Sequence, residues 1–126
     1  MLVLDTSALF YWTLDPDQLT EVAERSIDEA DRLVVSSISI WEIALKVKRG
    51  ALQIAIPTER YVEWLQQIEH LEIVPVDTGN WLDSVSLDWS HRDPADRVIV
   101  ALARQLACPL VTSDRAIGAF YRPTIW

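Results

Sequence analysis

The chain has 126 residues, half of them hydrophobic and only three of them glycine, and carries a formal net charge of −8. Those totals describe one folded domain, residues 1–126, and exclude a disordered polymer, a membrane span, a signal peptide (Asp5 breaks the opening apolar run) and, with Cys108 as the single cysteine, an internal disulfide; a cytoplasmic location is the expectation. The acidic balance argues against a general nucleic-acid-binding protein, which presents a basic face, and suits a chain that meets a basic partner.

Short β-rich runs alternate with longer helical patterns, so the expected fold is α/β, with a central, mostly parallel sheet of about five strands flanked by helices. The first strand spans 2–5, and a helix follows Asp5 until Asp15-Pro16-Asp17 breaks it. A second helix is expected from Gln18 to Ala30, with Leu19, Val22, Ala23 and Ile27 at helical spacing. After a strand at 33–36, Ser36-Ser37 introduces a helix from Ile38 to Arg49, stopped by Gly50. Pro57-Thr58 opens the next, with Tyr61, Val62, Leu65 and Ile68 on one face, and a strand at 72–76 follows. Thr78 is expected to cap a helix running to Leu87. Asp93-Pro94 begins the longest one, whose apolar face is Val98, Ile99, Leu102, Ala103 and Leu106. Cys108 reads as a buried hydrophobe, and strands at 110–112 and 123–125 close the chain. The six tryptophans are scattered and read as core or interface anchors, not as a base-stacking platform.

Four acidic residues fall where secondary structure changes. Asp5 closes Met1-Leu-Val-Leu, Asp114 follows Leu110-Val-Thr-Ser, and Glu42 and Asp96 sit in the expected first turns of two helices. Each has a capping explanation: Ser39-Ile-Trp-Glu42 fits a capping box, and Glu42 is also spaced i,i+4 from Lys46. Asp93 fits a cap before Pro94, with Asp96 favoured by the helix dipole, and Asp5 and Asp114 fit caps of the helices after them. As a set they carry more. Strand ends and the helix starts that follow them share one edge of an α/β sheet, where ligands bind. Carboxylates gathered there repel one another and persist most readily around a hard divalent cation, which prefers oxygen donors.

Together these segments resemble the PIN domain family, in particular VapC-type toxin ribonucleases. The resemblance rests on Leu2-Val-Leu-Asp5-Thr-Ser, Ser36-Ser-Ile-Ser-Ile-Trp-Glu42-Ile-Ala, His91-Arg-Asp-Pro-Ala-Asp96-Arg and Leu110-Val-Thr-Ser-Asp114, in that order across the whole length. It implies a Rossmann-like sheet and a pocket holding Mg²⁺ or Mn²⁺, with Asp5, Glu42, Asp96 and Asp114 as its catalytic and metal-binding residues. Asp93 would stand behind them as a fifth carboxylate, with the Thr6 and Ser113 hydroxyls orienting carboxylates or water. It further implies an RNA substrate, a homodimer and inhibition by a cognate antitoxin encoded alongside.

The implied reaction is metal-assisted hydrolysis of an RNA phosphodiester. Asp5, Asp96 and Asp114 would bind metal directly or through water, and Glu42 would ligate or orient the attacking water. His70 and His91 read as surface or packing residues. Lys46, Lys48 and Arg49 form a basic group at the end of the helix that carries Glu42, and Arg92, Arg97 and Arg115 flank the acidic motifs. Lys46, Arg97 and Arg115 are the candidates for phosphate contact, although a basic residue in a last helical turn also simply suits the dipole. Two other classes stand beside this one. A phospho-acceptor signalling domain also gathers carboxylates at strand ends, but needs a lysine where this chain has Thr112-Ser-Asp114. A catalytically inactive PIN-like module would only bind a protein partner.

Overall fold

Leu2, Val3 and Leu4 are apolar at consecutive positions, a pattern that buries itself only in a strand covered on both faces. In the computed structural model, which describes all 126 residues, they form β1 (Leu2–Leu4) at the centre of a five-stranded sheet. The other strands are β2 (Leu33–Ser36), β3 (Leu71–Val74), β4 (Leu110–Val111) and β5 (Thr124–Ile125). Their order is β3-β2-β1-β4-β5 and every neighbouring pair is parallel. The chain builds outward from β1 through β2 to β3, then returns to β1's other side with β4. The connections leaving β1 and β4 therefore diverge and open a crevice at the carboxyl edge of the sheet.

Seven helices cover the sheet: α1 (Thr6–Leu14), α2 (Glu21–Glu29), α3 (Ser37–Lys48), α4 (Thr58–Gln66), α5 (Thr78–Ser86), α6 (Pro94–Leu106) and α7 (Arg115–Phe120). The alternation of strand side chains divides the core in two. Val3, Val34 and Leu110 face one side, against α6 and Ile117 of α7. Leu2, Leu4, Leu33, Val35 and Val111 face the other, against Ala8 and Leu9 of α1, Ala23 and Ile27 of α2, and Tyr61 and Leu65 of α4. Helix α3 contributes Ile38 to the first cluster and Ile43 to the second, so it wraps one end of the sheet and bridges both cores. No helix is long and apolar enough to cross a membrane.

Several local details differ from the expectations. Helix α2 starts at Glu21 because the Thr20 side chain accepts from the Ala23 amide, while Pro16–Gln18 forms a separate 3-10 turn and Val22 is exposed. Asp77, not Thr78, caps α5, its carboxylate accepting from the Asn80 amide at 2.7 Å. Helix α3 is capped by Ser36 and begins at Ser37, which places Glu42 in the second turn and leaves no Ser39–Glu42 capping box. Of the six tryptophans, Trp12 and Trp126 pack half-buried against one core cluster and Trp89 against the other, whereas Trp41, Trp64 and Trp81 are exposed. Cys108 is buried, as expected.

Candidate active site

Strand register brings the first two groups together. Val3 pairs with Leu110 and Leu4 with Val111, so the next residues, Asp5 and Thr112, emerge side by side at the carboxyl edge, with the Asp5 amide donating to the Val111 carbonyl at 3.1 Å. The Asp5 carboxylate caps α1, its Oδ1 accepting from the Ala8 amide at 2.7 Å. The cap is real but does not account for the whole side chain. Asp5 is 6% exposed, with no cationic partner. Burial pushes its pKa from 3.8 up to about 6, against the pull of the Thr112 hydroxyl and Ala8 amide, and the nearby Asp96 and Asp114 charges push it further.

Glu42 reaches the same edge from the second turn of α3. The buried Thr6 hydroxyl donates to Glu42 Oε1 and lies 2.9 Å from the Ser39 hydroxyl, so α1 and α3 are tied together directly behind the carboxylate. Burial raises the Glu42 pKa, the Thr6 bond and the Lys46 charge oppose this, and Asp93 and Asp96 repel the ionised form. The i,i+4 ion pair with Lys46 is not formed.

Asp96 projects from the first turn of α6. Its Oδ2 lies 2.6 Å from His91 Nε2, the distance of an imidazole N–H donating to a carboxylate. Burial raises its pKa; the His91 bond opposes this, and Asp93 and Asp114 add repulsion. Asp114 caps α7, with Oδ1 accepting from the Ala116 and Ile117 amides at 2.8 and 3.2 Å, and its own amide donates to the Thr112 hydroxyl at 3.0 Å. Asp93 caps α6 in the same way, through the Ala95 and Asp96 amides.

Asp5, Glu42, Asp93 and Asp114 thus each lie within electrostatic reach of Asp96. Their side chains are not closed around one point, and no three His, Cys, Asp or Glu groups stand ready as a coordination sphere. Each is held back by an amide, hydroxyl or imidazole. The donor set nevertheless fits a hard divalent ion: it is all oxygen, partly buried, and mutually repelling in a way that a cation would relieve.

Two expected helpers are placed differently. Ser113 is exposed, and Thr112, opposite Asp5 in the register, is the buried hydroxyl of this strand end. Arg97 is not available to phosphate: all five of its N–H groups donate to backbone carbonyls. Lys46 and Arg115 are exposed, and Lys46 borders a cleft of about 140 Å³ that Thr6 and Ser7 also line. Sequence reasoning gave Ser39, Thr112 and His91 no part in the site, taking Ser39 for a helix cap and His91 for a surface or packing residue. The only signal for Thr112 was strand alternation, which means nothing until the partner strand is known.

A model of the PIN domain matches residues 2–123. The chain belongs to the PIN domain family. It is 35% identical to a Mycobacterium tuberculosis protein named Ribonuclease VapC22 over 98% of this chain and 97% of the relative. Among solved structures, this PIN chain is similar to M. tuberculosis VapC20, described as a sarcin-ricin loop cleaving toxin (TM-score 0.71, 14% identity, 94% of each chain covered). It is also similar to a toxin–antitoxin complex from Klebsiella pneumoniae (TM-score 0.70, 16% identity, 100% of this chain and 97% of that one). FitAcB from Neisseria gonorrhoeae gives a TM-score of 0.67 at 22% identity, over 93% of this chain and 90% of that one. At such identities the structural likenesses speak for the PIN fold alone.

Proposed function

We propose that residues 1–126 form one PIN domain that acts as a metal-dependent endoribonuclease, the toxin of a toxin–antitoxin pair. The observation that carries this reading is Asp5: a buried carboxylate without a cation, its pKa pushed up to about 6, facing Asp96 and Asp114 across the crevice of a chain 35% identical to a named ribonuclease. Asp5, Glu42, Asp96 and Asp114 would hold Mg²⁺ or Mn²⁺. Bound there, the ion would polarise a phosphoryl oxygen and make a coordinated water a nucleophile near neutral pH.

The chain's own residues orient the rest. The Ala8 amide fixes one oxygen of Asp5, the Thr6 hydroxyl fixes one oxygen of Glu42, and the other carboxylate oxygens remain to bind or to take a proton from water. Asp93 adds negative charge behind Glu42 and Asp96 while capping α6. RNA must approach an acidic protein, and the exposed Arg115 and Lys46 beside the site are the cations offered to its phosphates. The exposed apolar strip of Trp41, Trp81, Leu82 and Val85 supports assembly as a homodimer, and the net charge of −8 supports a basic antitoxin.

The deciding test is cleavage of a fluorogenic single-stranded RNA with Mg²⁺ or Mn²⁺ by the wild type and by Asp5→Asn. Cleavage by the wild type alone supports the nuclease. Equal signal from both proteins removes it and leaves an inactive protein-binding module.

A further inference from the structure

Between α5 and α6 the chain runs from Leu87 to Asp93 without regular secondary structure, yet it is tied down at Leu87, Trp89, His91 and Asp93. Arg97 does most of this. Its Nε donates to the Ser84 carbonyl at 2.9 Å, its Nη1 to Trp89 and His91 at 2.6 and 2.9 Å, and its Nη2 to Val85 and Leu87 at 3.2 and 2.9 Å. The Ser84 and Val85 carbonyls belong to the last turn of α5, where no amide remains to pair with them. One guanidinium therefore caps α5 and shapes the segment that follows.

The side chains of that segment are fixed as well. The Trp89 indole lies flat between two rings, with His91 at 4.4 Å and 18° on one side and Phe120 of α7 at 4.8 Å and 7° on the other. His91 is thus held by its carbonyl on Arg97 and by its ring on Trp89, and its Nε2 meets Asp96 Oδ2 at 2.6 Å. Asp96 is repelled by Asp93 and Asp114, so a partly buried carboxylate in its place would swing towards water unless something held it.

We propose that His91, presented by the Arg97 clamp and the Trp89–Phe120 stack, is a positioning residue that fixes Oδ2 of Asp96 and so leaves Oδ1 as the oxygen that would hold the metal. The proposal rests on the nuclease reading above. It gives His91 a role beyond packing without making it a base, since it touches neither water nor phosphate in this role. It also explains why Arg97 lies immediately after Asp96: the turn of helix that carries the carboxylate carries the anchor of its partner.

The test measures Mn²⁺ binding by calorimetry, together with kcat and KM on RNA, for the wild type, His91→Ala, His91→Gln and, as a remote control, His70→Ala. Removing a group that orients a ligand weakens metal binding by roughly 10–100-fold. His91→Ala is expected to lose that much Mn²⁺ affinity and to lower kcat with little change in KM. His91→Gln, which keeps an N–H donor, should recover a large part of both, and His70→Ala should match the wild type. If His91→Ala binds Mn²⁺ within twofold of wild type, or raises KM alone, the proposal is wrong while the nuclease stands. If His91→Ala does not fold, His91→Gln decides: metal binding no better than that of Asp96→Asn overturns the proposal. A wild type that neither binds Mn²⁺ nor cleaves RNA overturns the nuclease reading and this proposal with it.

Discussion

The two edges of the sheet handle charge in opposite ways. At the amino edge, charges pair with their opposites in the open: the Met1 ammonium lies 3.2 Å from Asp31, and Arg32 donates to Glu72 across β2 and β3. At the carboxyl edge, Asp5, Glu42, Asp93, Asp96 and Asp114 share one crevice, no Lys or Arg pairs with any of them, and Asp96 alone meets an imidazole, that of His91. Both edges are rich in acid, so composition does not distinguish them. Surroundings do: a paired exposed carboxylate costs the fold little, whereas a buried one among like charges is held against its own preference. That second arrangement is the mark of a site.

The largest effects should come from breaking the carboxyl edge at Asp5. Asp5→Asn is expected to reduce RNA cleavage by at least about a hundredfold, the scale of a positioned catalytic group. The same variant should be more stable than the wild type when divalent ions are absent. Asp5 binds its proton more tightly in the folded chain, at a pKa of about 6 against 3.8. Its effect on stability is therefore nil below about pH 4 and grows unfavourable as pH rises through 6, reaching at most about 3 kcal/mol at pH 7. Asparagine keeps the oxygen that accepts from Ala8 but not the charge. Urea titrations at pH 4 and pH 7.5 should show the two proteins alike at the lower pH and the variant ahead at the higher. A variant less stable at pH 7.5 would make Asp5 a cap and nothing more.

Arg97 carries the comparison over to cations. Arg32 lies open at the amino edge, whereas Arg97 spends every donor on carbonyls beside the carboxyl edge. Arg97→Lys keeps the charge but offers three donors without the planar fork. Carbonyls left unpaired should cost about 2–3 kcal/mol, seen as a lower melting temperature at every pH. An unchanged melting temperature would show that water replaces the clamp freely.

The carboxyl edge was legible in sequence as a set of residues but not as a geometry. Asp5, Glu42, Asp96 and Asp114 announce themselves because each follows an apolar run or opens a helix, and the five strands are short blocks with clear breaks. Thr112 against Ser113 turns on the β1–β4 register, which brings residues more than a hundred positions apart into contact. Glu42's true place depended on whether Ser36 or Ser39 caps α3, two equally good candidates decided by where β2 ends. Arg97 looked available because sequence counts charges and does not show where the carbonyls of a coil segment point. Val22 and the exposed tryptophans failed as core residues for a related reason: spacing identifies an apolar stripe, and packing decides how wide a stripe is covered.

Divalent ions should sharpen the same contrast by a smaller step. Ions that bind the folded site stabilise it by linkage, about 2.7 kcal/mol at a hundred times the dissociation constant. Mg²⁺ or Mn²⁺ should raise the melting temperature of the wild type and a chelator should lower it. Asp5→Asn, relieved of its charge, should respond less. An equal response from both proteins would place the ion elsewhere on an acidic surface.

The smallest effect belongs to the amino edge, and it is the control that gives the others meaning. Glu72→Gln removes the carboxylate that Arg32 meets, yet both groups are about half exposed, so water takes over what the pair gave up. The melting temperature should stay within the scatter of repeat measurements, and RNA cleavage should match the wild type. Raising the salt concentration should erase whatever difference remains, because screening acts on open pairs first. It should do little to the burial that raises Asp5, so the pH-dependent gap between the wild type and Asp5→Asn should survive the same salt. If Glu72→Gln instead shifted stability as far as Asp5→Asn does, exposure would not be what separates the two edges, and the cluster at the carboxyl edge would lose its standing as a site chosen against the fold's own electrostatics.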